Sequence, residues 1–212
     1  MERQRTIVFS GGGTGGHLFP GIAVAEELRA DDARWNVVFA GRERRIERDI
    51  VTGRGFEHRP LPVEPSTSFL RRPHRAAWNL WRSYRAARRM LREQMPFCVV
   101  GLGGFASVPV ALAARRIGVP LFLLEQNIVP GRATRLLSRF ASAVFLSFSE
   151  TEAVPGARRT KAIVTGNPVR REIAELARTR AAVGAPGSST EGEVLLVLGG
   201  SQGATAVNDA LL

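Results

Sequence analysis

A short apolar run, Thr6-Ile-Val-Phe-Ser10, opens directly onto Gly11-Gly-Gly-Thr14-Gly-Gly16 and stops on His17. Five glycines in six positions leave a loop with almost no side chains. Such a loop lets a ligand approach the main chain and permits positive φ angles. After Pro20, the segment Gly21–Leu28 has the apolar spacing of a helix. Its N-terminal amides would point back at the loop and favour an anion. A strand, a glycine loop and a helix in that order must be buried in a layered α/β sheet. His17, the titratable residue of the loop, falls where a substrate would lie. It reads either as a helix cap with no chemical task or as a base that takes a proton from an attacking hydroxyl.

The same alternation continues along the chain. Strands are expected at 6–10, 35–40, 58–63, 97–101, 120–125, 143–147 and 161–165, with helices at about 20–30, 75–94, 107–117, 131–140 and 169–182. Near-continuous apolar strands between helices indicate a parallel sheet covered on both faces. Residues 184–192 are small, polar and turn-rich. A second strand, Glu193–Leu198, then opens onto Gly199-Gly-Ser201-Gln202-Gly203-Ala204. The expected organisation is therefore an N-terminal Rossmann-like domain at 1–166 and a linker helix with polar linker at 167–192. The first unit of a second Rossmann-like domain follows at 193–212. One strand and one helix cannot bury their own apolar faces, so the chain reads as the N-terminal portion of a larger two-domain protein.

Composition narrows the partners. Hydrophobic residues make up 44% and charged residues 23%, as in an ordinary soluble domain. The formal charge of +11 is unusual, and with Lys161 the only lysine it is almost all arginine. That favours polyanions or anionic lipid. Cys98 is alone, which rules out an intrachain disulfide and fits a reducing compartment. The apolar stretch 108–124 is broken by Arg115 and Arg116, so no membrane span is expected.

Basic charge concentrates at 71–95, where Arg71, Arg72, Arg75, Arg82, Arg85, Arg88, Arg89 and Arg92 face a single acid, Glu93. Helical spacing puts Ala77, Leu80, Trp81, Tyr84, Ala87 and Leu91 on one face, the expected core stripe. Trp78 lines up instead with Arg82, Arg85, Arg89 and Arg92. This is a solvated arginine face with a tryptophan under arginine stems, a nucleic-acid surface, or a membrane-surface patch to which Phe69 and Leu70 add apolar contact. No recognised nucleic-acid motif accompanies it.

Two readings of the first loop remain. Gly11-x-Gly13-x-x-Gly16 satisfies the dinucleotide pattern, and Gly41-Arg42 at the end of the second strand would suit NADP. Nothing in that pattern calls for His17 or Pro20. A kinase-type phosphate loop is excluded because it needs a lysine after its last glycine. The carboxyl end of the fifth strand carries Glu125-Gln126-Asn127, whose amide and carboxylate suit hydroxyl-rich ligands. Asn167 is a natural helix cap, and the nearby Arg170 can reach a phosphate.

Five motifs, taken together and in order, resemble the MurG family. They are Gly11 to His17 with Pro20, Gly103-Gly-Phe-Ala-Ser-Val-Pro109, Glu125-Gln-Asn127, Thr165-Gly-Asn-Pro-Val-Arg170 and Leu198-Gly-Gly-Ser-Gln-Gly-Ala204. These enzymes add N-acetylglucosamine from its UDP-sugar to lipid-linked muramyl-pentapeptide in peptidoglycan synthesis. The resemblance implies a GT-B fold, an inverting reaction, and no metal or cofactor. It implies His17 as base for the acceptor hydroxyl and Thr14, Gly15 and Gly16 as crevice lining. Glu125, Asn127, Arg170, Ser201 and Gln202 become the substrate contacts. The implied partners are UDP-N-acetylglucosamine, undecaprenyl-pyrophosphoryl-muramyl-pentapeptide and an anionic membrane surface. Nucleic acid is not among them, and the implied location is peripheral, on the cytoplasmic face of the membrane. The resemblance also raises the patch of Trp78, Arg82, Arg85 and Arg89 toward the membrane reading. Two departures stand out: Leu124 where the family usually has histidine, and Phe105 where it usually has tyrosine. Because most of the donor domain lies beyond Leu212, negligible transferase activity is expected of this chain alone. A non-catalytic acceptor- or membrane-binding module is then a third reading.

Overall fold

A computed structural model describes residues 5–12, 15–63, 73–151, 161–183 and 209, with the side chains of 73 and 180–183 left aside. Two units divide the chain, Met1–Arg170 and Arg171–Leu212. The first holds a seven-stranded sheet in the order β3-β2-β1-β4-β5-β6-β7. Its strands are β1 (Arg5–Gly11), β2 (Trp35–Arg42), β3 (Glu57–Leu61), β4 (Cys98–Gly103), β5 (Leu121–Glu125), β6 (Ala143–Leu146) and β7 (Lys161–Val164). Every neighbouring pair is parallel. All seven expected strands are present, and the α/β class expected from the sequence is the one observed.

The helices lie on both faces. Along β1, Ile7 and Phe9 join a core with Leu18, Ile22 and Ala25 of α1 (Gly15–Asp31) and Val51 of α2 (Arg45–Gly53). Val8 points to the opposite core, shared with Ala87 and Leu91 of α3 (Pro73–Gln94), Val110 of α4 (Ser107–Ile117) and Leu137 of α5 (Arg132–Leu137). Alternation at period two with both sides apolar is what a doubly covered parallel sheet requires. Phe9 and Phe39 stack at 5.2 Å within the α1/α2 core. A single 3₁₀ turn, Ser138–Phe140, follows α5, so the helix expected at 131–140 is shorter than its pattern.

Three expectations are corrected here. First, α1 begins at Gly15, not after Pro20, which places His17 in its first turn. Pro20, buried within the helix, cannot donate to the Gly16 carbonyl and sets its ring against it, a cost that falls on the turn carrying His17. Second, α2 was absent from the expected elements. Its sequence hides it, because Ile46 is 66% exposed while Glu47 is 5% exposed. Third, the buried line of α3 runs through Ala76, Ser83, Ala87, Met90 and Leu91, whereas Ala77 and Trp81 are exposed. Small Ala76, Ser83 and Ala87 allow close packing, and the Ser83 hydroxyl is satisfied at 2.6 Å by the Pro62 carbonyl. An indole in that line would need more room than the interface offers.

In the second unit, α6 (Arg171–Val183) is the described helix, and the apolar Ile173 and Leu176 on it are exposed. The polar linker at 184–192 and the strand expected at 193–198 lie outside the described residues.

Candidate active site

Strand order reverses between β1 and β4, so the connections leave the sheet in opposite directions there and a crevice opens at the carboxyl ends. Both strands end in glycine. Gly11 pairs with Gly103 after a local register shift. A β-carbon on Gly11 would lie 2.8 Å from the Gly103 carbonyl oxygen, and one on Gly104 would lie 2.9 Å from that of Gly12. Gly103 and Gly104 also have φ of +91° and +71°. The two loops therefore touch main chain to main chain, which only glycine permits.

His17 sits over this floor. A β-carbon on Gly103 would be 2.9 Å from Cδ2 of His17. The ring is half-buried, and burial holds its pKa below the usual imidazole value, with the Glu125 carboxylate pulling the other way. A neutral imidazole at neutral pH can accept a proton, which is what a base requires.

Glu125, 3% exposed at the end of β5, uses its carboxylate locally. One oxygen accepts from the Asn127 amide at 3.0 Å and from Asn127 Nδ2 at 2.8 Å. The other accepts from the Gly131 amide at 3.0 Å. These bonds make Glu125 a brace for the 126–131 turn, while its charge also acts on His17. Asn127 itself is exposed. In the segment after β7, Arg170 places its guanidinium 5.2 Å from the Phe19 ring near the start of α1. Asn167 accepts from the Ser147 hydroxyl at 3.3 Å. His17, Gly15, Gly16, Glu125 and Arg170 are thus drawn to one edge by α1, β5 and the segment after β7. Thr14, Ser201 and Gln202 lie outside the described residues, as do Phe69 and Leu70 of the expected surface patch.

The two departures are both packed apolar. Leu124 is 7% exposed in the α1/α2 core, and Phe105 packs against the opposite one. Arg42, which an NADP reading would need, donates Nε to the Val63 carbonyl at 3.0 Å. Burial pushes the Cys98 thiol up to about 11, so it is no nucleophile.

The sequence reading missed Glu47. Its Oε2 lies 2.8 Å from the point a β-carbon on Gly12 would occupy and 3.2 Å from the same point on Gly41. Gln126, already part of the Glu125-Gln126-Asn127 motif, has its Nε2 buried without a hydrogen-bond partner among the described residues. Only the charge within an otherwise helix-like stretch could have drawn attention to Glu47.

On the distal helix α3, Trp78 and Trp81 stack at 4.8 Å and are 58% and 45% exposed. Arg85 lies 4.9 Å over the Trp81 ring. A groove of about 370 Å³ runs between Pro62, Trp81, Arg82, Arg85 and Arg89.

The model of the glycosyltransferase family 28 N-terminal domain matches residues 7–146. A protein of Pelobacter propionicus is 41% identical over 97% of this chain and 58% of its own length. One of Geotalea uraniireducens is 42% identical over 97% of this chain and 55% of its own. Both are named UDP-N-acetylglucosamine--N-acetylmuramyl-(pentapeptide) pyrophosphoryl-undecaprenol N-acetylglucosamine transferase. The crystal structure of Acinetobacter baumannii MurG superposes with a TM-score of 0.64 at 25% identity, over 79% of this chain and 46% of that one. This chain spans about half the length of the curated relatives it matches. A parallel sheet whose strand order reverses at paired glycine loops and the match over most of that sheet lead to one assignment: the chain belongs to glycosyltransferase family 28, through its N-terminal domain.

Proposed function

We propose that this chain forms the acceptor side of an enzyme that transfers N-acetylglucosamine from UDP-N-acetylglucosamine to lipid-linked N-acetylmuramyl-pentapeptide. The observation that carries the reading is His17, held neutral over the glycine floor of the β1/β4 crevice. In the reaction the acceptor hydroxyl oxygen attacks the anomeric carbon, and the bond from that carbon to the UDP oxygen breaks. The electron pair leaves on the diphosphate, and the hydroxyl proton passes to the imidazole of His17. Attack opposite the leaving group inverts the anomeric centre. The proposed roles are acceptor binding for Gly15 and Gly16 and donor binding for Asn127 and Arg170, with Glu125 holding the turn that presents Asn127. The amides at the start of α1 and the Arg170 charge suit the growing negative charge on the diphosphate.

The test needs the enzyme that contains this chain together with its donor domain. There, His17→Ala lowers kcat about 10²- to 10⁴-fold, the usual contribution of a general base. Wild-type turnover in that variant removes His17 from the role.

A membrane contact is the second part of the proposal, and the stacked Trp78–Trp81 pair supports it. Two exposed indoles ringed by Arg82, Arg85 and Arg89 suit the interface of an anionic bilayer, with tryptophan at headgroup depth and guanidinium on phosphate. Among the described residues no helix is long and apolar enough to cross a membrane. The proposed location is peripheral, on the cytoplasmic leaflet where the lipid-linked acceptor resides.

A further inference from the structure

Helix α2 turns an isoleucine outward and a glutamate inward. A carboxylate taken out of water costs several kcal/mol unless it is bonded, so what surrounds Glu47 decides its place. The buried end of Glu47 lies against the first glycine loop, at the Gly12 and Gly41 positions already given. Gly12 is thereby held on two sides. Its carbonyl oxygen is 2.9 Å from the β-carbon position of Gly104, and the carboxylate stands against its α-carbon. Three residues later α1 begins, and His17 sits in its first turn over Gly103. A continuous set of contacts therefore runs from α2 through Gly12 to the loop that closes β4.

We propose that Glu47 is the positioning residue of the crevice: its buried carboxylate fixes Gly12 against the loop that closes β4, and so sets where His17 stands over Gly103. The importance of that position rests on the proposed transferase reading, but the contact is tested without substrate, so either can fail alone. A helix N-terminal acid that merely complements the dipole of α2 would leave His17 undisturbed, which separates the two roles.

The experiment follows the His17 ring by NMR titration in the 212-residue chain, with its signal assigned by loss in His17→Gln. In Glu47→Ala the midpoint of His17 rises toward the ordinary 6.5, because a released loop returns the ring to water. Removing a nearby negative charge without moving the loop shifts it the opposite way. Amide exchange at Phe19, near the start of α1, quickens tenfold or more while Val8 and Val99 in the sheet keep their rates. Glu47→Asp keeps the charge but withdraws it by one methylene, and gives the same upward shift at smaller amplitude. It serves as the readout should the alanine variant not fold. A His17 midpoint that stays or falls, with Phe19 exchange unchanged in the folded variant, overturns the proposal.

Discussion

Helix α1 gathers its chemistry at one end, against the sheet edge, whereas α3 spreads its own along a solvent face. In α1 the first turn holds His17 over Gly103, and the rest of the helix is core on one side with Glu26, Glu27 and Asp31 toward the other. In α3 the buried line is small and unremarkable, and the exposed line carries Trp78, Trp81 and the arginines. Chemistry at the first site depends on ångström-level packing of main chain, so it is intolerant of added atoms. The second depends on charge and exposed apolar area, which long side chains can rearrange without disturbing the fold. The layers on the two faces of the sheet thus divide precise positioning from the proposed membrane contact.

That division is broken most severely at Gly103. Gly103→Ala places a β-carbon 2.9 Å from His17 on a backbone with φ of +91°. A residue held there costs about 1–3 kcal/mol, which lowers the melting temperature by about 3–10 °C. In the complete enzyme the displaced ring lowers turnover about 100-fold. Unchanged melting and turnover would show that the crevice is looser than its contacts imply.

Next in size is the surface of α3. Arg85→Glu weakens binding to anionic vesicles about 30-fold, from about 1 kcal/mol for each of the two units of charge it changes. Trp78→Ala weakens it several-fold. Neither moves the melting temperature by more than about 2 °C, since both side chains are exposed. Flotation assays with anionic and zwitterionic vesicles read the first effect, and calorimetry the second. A stability loss without a binding loss would make α3 a structural helix only.

The smallest effect is on pH. Burial holds His17 and His58 below their ordinary 6.5. Below that value the unfolded chain binds more protons than the folded one at these sites. Stability from this source is therefore complete above pH 6.5 and falls as pH drops through the folded values. Urea midpoints taken from about pH 7.5 down to about pH 5.5 should decline, and His17→Gln should flatten part of the slope. A midpoint that rises toward acid would contradict the burial of both rings.

Much of this was legible from the chain, for identifiable reasons. The central strands announced themselves because apolar residues on both faces leave few alternatives to a buried parallel sheet, while the edge strands β3 and β7 are largely exposed. The glycine loops did so because a run without side chains has few uses other than close approach. Helix α2 stayed hidden because its pattern obeys the crevice and not the core. Trp81 misled for a related reason: its spacing is that of a buried residue, but the buried line of α3 passes instead through Ala76, Ser83, Ala87, Met90 and Leu91. Glu125 was legible as a polar residue at a strand end, while its bonds to Asn127 and Gly131 were not.

The sequence by itself determined the strand–loop–helix alternation, the positions where only glycine fits, and the arginine bias of α3, because these follow from local pattern and residue chemistry. Only the tertiary structure decided that His17 belongs to a helix, that Glu47 faces Gly12 across 35 residues of chain, and that the two tryptophans stack in the open. Such contacts join segments whose separation along the chain carries no record of the partner, so they exist only once the sheet has brought the loops together.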